Sequence, residues 1–112
     1  MKPKKIMKPW GWELWFAHNP KYIGKIIFIK KGHRLSRQYH RRKHETVYAH
    51  RGAWVLEIAG RKKTMRPGSA ASIAPRVIHR FTAPIENAWL LEVSTSHPRD
   101  VVRLEDDYGR QR

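Results

Sequence analysis

Short runs of β-branched and aromatic residues, separated by turn signals, make up most of this chain. The runs are WELWFA, YIGKIIFIKK, HETVYAH, AWVLEIAG, SAASIA, VIHRFTA and AWLLEVS. Turn residues fall between them, as at Asn19-Pro20 and Pro67-Gly68, and apolar patterns with a helical period are scarce. Many short strands at near-regular spacing are typical of an antiparallel sandwich or barrel. The sequence therefore predicts an all-β fold.

The length of 112 residues fits one domain with little apolar area to spare. Residues 9–112 are expected to form that domain, and the basic residues 1–8 a disordered tail. We expect a homodimer, because a second copy would cover further apolar surface. One strand face, expected in the core or in a contact between copies, carries Trp10, Trp12, Leu14 and Phe16.

The formal net charge of +15 is extreme for a small domain, and residues 1–44 contain a single acid, Glu13. The electrostatic field of so positive a protein attracts nucleic acid, acidic membranes and phosphorylated metabolites alike. The absence of cysteine excludes disulfides, thiolate metal sites and cysteine nucleophiles. No apolar run approaches the roughly 18 residues that span a bilayer, and no signal-peptide core follows the basic start. We therefore expect a soluble cytoplasmic protein.

Four side chains have the spacing and chemistry of a metal site. Gln38 and His40 are two residues apart, so they share one face of a strand. Glu45 begins the next run, and His79 lies in a later one. An amide oxygen, two imidazoles and a carboxylate suit a divalent metal with open positions. A lone histidine on an apolar strand is more often a core residue, so spacing alone leaves both interpretations open.

Two registers in the sequence resemble the paired motifs of cupin barrels. The first motif is G-x5-H-x-H-x4-E-x6-G, and its spacing is kept by Gly32, Gln38, His40, Glu45 and Gly52, with Gln in the first His position. The second motif is G-x5-P-x-G-x2-H-x3-N. Its spacing is kept by Gly68, Ala74, Arg76, His79 and Ala83, with Ala, Arg and Ala in the Pro, Gly and Asn positions.

The segments PWGWEL, GHRLSRQYH and DVVRLEDDYGR resemble a narrower group, the cupin domain of type II mannose-6-phosphate isomerases. That group carries an RPWG opening, an LSLQ-x-H strand and an EDDIVRFEDxYGR tail, and the similarity extends from Pro9 to Arg110. Arg37 replaces an apolar residue of the group, and RRKHET replaces HHRAEH. The resemblance implies an antiparallel jelly-roll barrel of the cupin (RmlC-like) type in a single domain.

The resemblance also implies an activity, the interconversion of mannose-6-phosphate and fructose-6-phosphate through a cis-enediol. A divalent metal (Zn, Mn, Co, Ni or Fe) would be bound by Gln38, His40, Glu45 and His79. By family position, Arg103 and Arg110 would contact the substrate phosphate, and Lys43 is a further candidate because it lies close in sequence to the first motif. Glu92 is the candidate catalytic base, with His33 as a further catalytic candidate.

Each of these assignments has a structural alternative. Glu92 could face outward and pair with a surface cation, and the tail arginines could form a clasp with Glu105, Asp106 and Asp107 that closes the barrel. The cupin barrel also hosts dioxygenases and lyases that act on small organic acids, and non-catalytic modules that bind sugars or anions. Nucleic acid is an unlikely main partner, because no nucleic-acid-binding motif is visible and the cations are scattered over the strands.

Overall fold

The computed structural model describes residues 2–111, and the strands in this range match the all-β prediction. In chain order they are β1 (Lys4–Lys8), β2 (Gly11–His18), β3 (Tyr22–Ile29), β4 (His33–Arg34), β5 (Arg37–Tyr39), β6 (Glu45–Arg51), β7 (Trp54–Ile58), β8 (Arg61–Met65), β9 (Ala70–Ile73), β10 (His79–Ala83), β11 (Ala88–Thr95) and β12 (Val102–Glu105). Among residues 2–111 no helix is long and apolar enough to cross a membrane.

The strands form two antiparallel sheets that enclose the core of a jelly-roll barrel. One sheet has the order β1-β2-β3-β11-β6-β9, and the other has the order β12-β5-β10-β7-β8, with β4 also pairing with β10. The inner faces of both sheets supply the core, as the burial of Leu90 on β11 of one sheet and of Leu56 and Phe81 on β7 and β10 of the other shows. The alternation of these residues along their strands is what the sequence pattern predicts.

The interior changes from apolar to polar along the strands. On β11, Ala88 and Leu90 point into the core, and the next inward positions are Glu92 and Ser94. Leu90 lies opposite Ile27 of β3, whereas Glu92 lies opposite Lys25. Because inward residues recur every second position, one end of the barrel is filled by hydrocarbon and the other by ionisable groups.

The N-terminal residues differ from the expected disordered tail. Residues 4–8 form β1, which pairs with β2 from Lys4 opposite Trp15 to Lys8 opposite Gly11. The edge of β2 offers the backbone hydrogen bonds that order this segment. A Cβ on Gly11 would overlap the carbonyl oxygen of Phe28, so glycine lets the β1–β2 hairpin lie close against β3.

The C-terminal tail forms a strand and an ionic clasp. β12 pairs with β5, bringing Arg103 opposite Gln38. Asp107 accepts two hydrogen bonds from the guanidinium of Arg34, at 2.7 and 2.9 Å. The predicted clasp is therefore present, and barrel arginines take part in it beside the tail's own Arg110.

Candidate metal centre and cavity

Three buried side chains, His40, Glu45 and His79, meet inside the polar end of the barrel; we refer to them as the His/Glu cluster. Their candidate ligand atoms all lie within 4.8 Å of one another. Glu45 Oε1 is 3.1 Å from His79 Nε2 and 3.4 Å from His40 Nε2. His40 follows β5, whereas Glu45 and His79 are the first residues of β6 and β10.

The tautomers of the two histidines are set by backbone carbonyls. His40 Nδ1 donates to the carbonyl oxygen of Asp100, and His79 Nδ1 donates to that of Val77 at 2.9 Å. A carbonyl oxygen only accepts, so the proton of each neutral ring is on Nδ1 and the Nε2 lone pair faces Glu45. Both Nε2 atoms and Glu45 Oε1 are buried without a hydrogen-bond partner among the described residues.

Three unpartnered acceptor atoms that converge in a buried site repel one another unless a cation lies between them. Two imidazoles and a carboxylate are a donor set of catalytic zinc sites, and a metal-bound histidine commonly donates its other N–H to a carbonyl. The described residues therefore fit a divalent metal ion. His40, Glu45 and His79 could hold it.

Gln38, the fourth predicted ligand, lies beside the His/Glu cluster. It is directly opposite His79 in the pairing of β5 with β10, so the two side chains share a face. Its Oε1 atom accepts a hydrogen bond from Ser36 Oγ at 2.7 Å. Since an amide oxygen has two lone pairs, this bond leaves one of them for another partner.

A chain of alternating charges continues from the His/Glu cluster across the barrel. Lys43 Nζ is 3.4 Å from Glu45 Oε2 and 3.0 Å from Glu92 Oε2. Lys25 Nζ is 3.9 Å from Glu92 Oε2 and 3.4 Å from Glu13 Oε1. Each buried charge therefore has an opposite charge nearby, which offsets part of the free-energy cost of removing it from water.

These contacts set the ionisation of the acids and lysines. Burial opposes the charged form of Glu45, but the nearby positive charge of Lys43 favours it, and the pKa of Glu45 lies well below its ordinary value. Burial and the Glu45 charge raise the pKa of Glu92 to about 7, against the influence of Lys43 and Lys25. Burial would lower the pKa of Lys43, but Glu92 and Glu45 raise it. Glu92 is thus a buried acid whose pKa is raised toward neutral pH.

Asp100 connects the C-terminal segment to the His/Glu cluster. Its carboxylate accepts hydrogen bonds from the backbone N–H groups of Arg41, Arg42 and Lys43, at 2.9, 2.7 and 2.9 Å. Its own carbonyl oxygen accepts the Nδ1 proton of His40. One residue therefore fixes both the orientation of His40 and the turn that carries Lys43.

A cavity of about 110 Å³ opens beside the cluster, several times the space that one water needs. Gln38, His40 and Glu92 line it together with Glu13. Its basic lining residues are Lys8, Lys25, Lys43, Arg103 and Arg110.

The other predicted site residues lie in different settings. Arg103 and Arg110 line the cavity, and Arg110 also makes a bidentate pair with Asp106. Lys43 is buried between two carboxylates, so a substrate phosphate would have to compete with them. His33 is not among the cavity-lining residues that the structure describes, and its ring is stacked on Tyr108 with centroids 6.4 Å apart.

Glu13, Lys25, Lys8 and Asp100 belong to this site and were not predicted from the sequence. Lys25 interrupts the inward apolar positions of β3, and this interruption was a usable signal. Glu13 was visible as the single acid of residues 1–44. Asp100 carried no signal, because its partners are backbone groups almost 60 residues away.

A two-sheet β-barrel that encloses a buried His/Glu cluster beside a polar cavity defines a class of small proteins able to hold a divalent metal ion. The sequence matches the family model of the cupin domain over residues 25–93. The chain belongs to the cupin family. No curated protein matches it in sequence.

Solved structures share this fold at low sequence identity. KdgF from Halomonas sp. is 18% identical with a TM-score of 0.77, and the match covers 87% of each chain. An RmlC-like cupin from Shewanella frigidimarina is 17% identical with a TM-score of 0.80, covering 88% of this chain and 87% of that one. A cupin sugar phosphate isomerase from Silicibacter pomeroyi is 22% identical with a TM-score of 0.69, covering 85% and 67%.

Proposed function

We propose that this protein is a metal-dependent sugar-phosphate isomerase that interconverts mannose-6-phosphate and fructose-6-phosphate. The observation that carries the proposal is the placement of Glu92, a buried acid that lines the cavity next to the His/Glu cluster. Metal ligands, a base and cations in one cavity are the parts that such a reaction needs. The fold shared with a sugar phosphate isomerase from Silicibacter pomeroyi agrees with this assignment.

In this mechanism His40, Glu45 and His79, with Gln38 beside them, hold a divalent ion. Once bound, that ion would polarise the sugar oxygens and stabilise negative charge on them. The two histidines are oriented for this by the carbonyl oxygens of Asp100 and Val77.

Glu92 moves the proton. Its carboxylate removes the proton on C2, the C–H electron pair forms the C1–C2 double bond, and the C1 oxygen takes up a proton to give the cis-enediol. Glu92 then returns the proton to C1, while the C2 oxygen loses its own proton and becomes the carbonyl. Lys43, 3.0 Å from Glu92 Oε2, orients the carboxylate and limits its movement.

The experiment is a direct isomerase assay. Protein stripped with a chelator and reloaded separately with Zn, Mn, Co, Ni or Fe is mixed with mannose-6-phosphate, and fructose-6-phosphate is measured. We expect turnover with at least one metal, and a loss of roughly 100-fold or more in kcat for Glu92→Gln with unchanged metal content. A fully loaded protein that converts none of a panel of aldose phosphates would rule the proposal out.

We also propose that the protein is a homodimer that associates through the outer face of the β1-containing sheet. Trp12, Phe28 and Trp89 form a row across it, with ring centroids 5.3 and 4.9 Å apart. Leu91 and the half-exposed Val93 extend the apolar area along β11. Apolar and aromatic side chains that are contiguous on an outer sheet face are a feature of protein contact surfaces.

A further inference from the structure

Lys8 is a cation of the cavity that makes no ion pair with any carboxylate of residues 2–111. It lies at the end of β1, is half-buried, and lines the cavity. Burial lowers the pKa of Lys8, Glu13 works in the opposite direction, and Lys25, Arg110 and Arg103 lower it further. A half-buried ammonium group among other cations is destabilised unless an anion joins it.

The neighbouring cations have partners of their own. Lys25 pairs with Glu13 and Glu92, and Lys43 pairs with two carboxylates at 3.0 and 3.4 Å. Arg110 pairs with Asp106 through its Nε and Nη2 atoms. Among the described residues, Lys8 forms no such ion pair. Lys8 is therefore a cavity cation whose charge no described carboxylate balances at ion-pair distance.

We propose that Lys8 is the main contact of a phosphate-binding subsite, which Arg103 and Arg110 of the C-terminal tail complete. The inference rests on the proposed function, because the phosphate is that of the sugar phosphate whose other end reaches the His/Glu cluster. It also moves the phosphate contact from Lys43, whose charge two carboxylates already balance, to the N-terminal strand. A phosphate dianion offsets more of this charge than a carboxylate does, and a neutral sugar offsets none.

The hairpin gives Lys8 a fixed position. Lys8 pairs with Gly11 across the β1–β2 turn, and Gly11 allows that turn to lie against the backbone of Phe28. Trp10, between them, is buried in the core. An anchored backbone holds the ammonium group where the ligand binds and limits the entropy lost on binding.

Phosphate binding to metal-free protein tests this subsite without any turnover. Inorganic phosphate is titrated calorimetrically at constant ionic strength into wild type, Lys8→Gln and Lys5→Gln. Lys5 is the matched control, since it lies on the same strand with the same charge but sits over the Trp12 ring, 4.5 Å from its centroid. We expect roughly tenfold weaker binding for Lys8→Gln, as for the loss of one charge-assisted hydrogen bond, and less than a twofold change for Lys5→Gln.

Lys8→Arg keeps the charge and should restore at least half of the lost binding free energy. Equal weakening by Lys8→Gln and Lys5→Gln would show that phosphate is attracted by the overall positive charge and not by a subsite at Lys8. Unchanged binding in Lys8→Gln would also refute the subsite. If the phosphate results are as expected but no aldose phosphate is isomerised, the subsite stands and the proposed isomerase function fails. Melting curves confirm that each variant is folded.

Discussion

His79 Nε2 lies 3.1 Å from Glu45 Oε1, and neither atom has a hydrogen-bond partner among the described residues. The N–H of His79 is used on the other side of its ring, by the carbonyl oxygen of Val77. The contact therefore joins a lone pair to a carboxylate, and a cation between them would turn repulsion into coordination.

Removal of one imidazole should abolish high-affinity metal binding. For His79→Ala we expect at least a 10- to 100-fold loss in affinity, because loss of a mere outer-shell partner already has an effect of about that size. Metal content after dialysis against a defined free-metal buffer measures it. His50→Ala, an exposed histidine of β6, is the matched control and should keep the metal of the wild type. Equal metal content in both variants would contradict the assignment.

Asp100 should make the free energy of unfolding depend on pH in the acid range. Although burial works in the opposite direction, hydrogen bonds from the backbone of Arg41, Arg42 and Lys43 lower the pKa of Asp100 from 3.8 to about 2. Because the folded-state pKa is the lower one, the contribution is complete above the unfolded-state pKa and is lost as the pH falls through about 2. With allowance for solvent screening it is about 1–2 kcal/mol.

Urea unfolding of wild type and Asp100→Asn between pH 2 and 6 measures this contribution. We expect Asp100→Asn to be less stable by about 1–2 kcal/mol at pH 6 and to approach the wild type near pH 2. A stability difference that stays constant over this range would mean that the Asp100 carboxylate has an ordinary pKa in the folded protein.

Arg76 should be replaceable by glycine with a gain in stability. Its φ of 69° lies in the left-handed region, where a side chain costs roughly 1–2 kcal/mol, while the freedom of glycine in the unfolded chain offsets about 0.5–1 kcal/mol. We expect Arg76→Gly to raise the free energy of unfolding by about 0.5–1 kcal/mol, measured in urea. Arg76→Ala removes the same charge but keeps the strained backbone, so it should show no comparable gain. Equal effects would trace the change to the charge.

A charge on the outer face of the β1-containing sheet should separate the proposed dimer. Val93 is 54% exposed on β11, so Val93→Lys should leave the fold intact and place an ammonium group in the interface. Light scattering during size-exclusion chromatography is expected to show a dimer for wild type and a monomer for the variant. Ile85→Lys is the control, since Ile85 is 75% exposed in the loop before β11. A monomeric wild type would remove this proposal.

The alternation of apolar residues was sufficient to predict the all-β fold, because it is a local property of each strand. For the His/Glu cluster, spacing alone also left a core histidine open, and the resemblance to the cupin motifs indicated the residues. The ordered β1 was missed, since a Lys-rich segment has little strand propensity and becomes ordered only by pairing with β2. Asp100 and the ion pairs of Lys25 and Lys43 were missed for a related reason. Their partners come together only after the sheets have formed, which no local pattern encodes.

The division of the barrel interior has a consequence for changes of activity. Leu90, Ile27 and Phe81 hold the two sheets together at one end, whereas Glu92, Lys25 and His79 occupy equivalent inward positions further along the same strands. Substitutions among the ionisable residues therefore leave the packed hydrocarbon layer largely untouched. A laboratory-evolution library at the polar end should retain folded members where oppositely charged partners such as Lys43 and Glu92 are replaced together, because a single replacement leaves a buried charge without its partner.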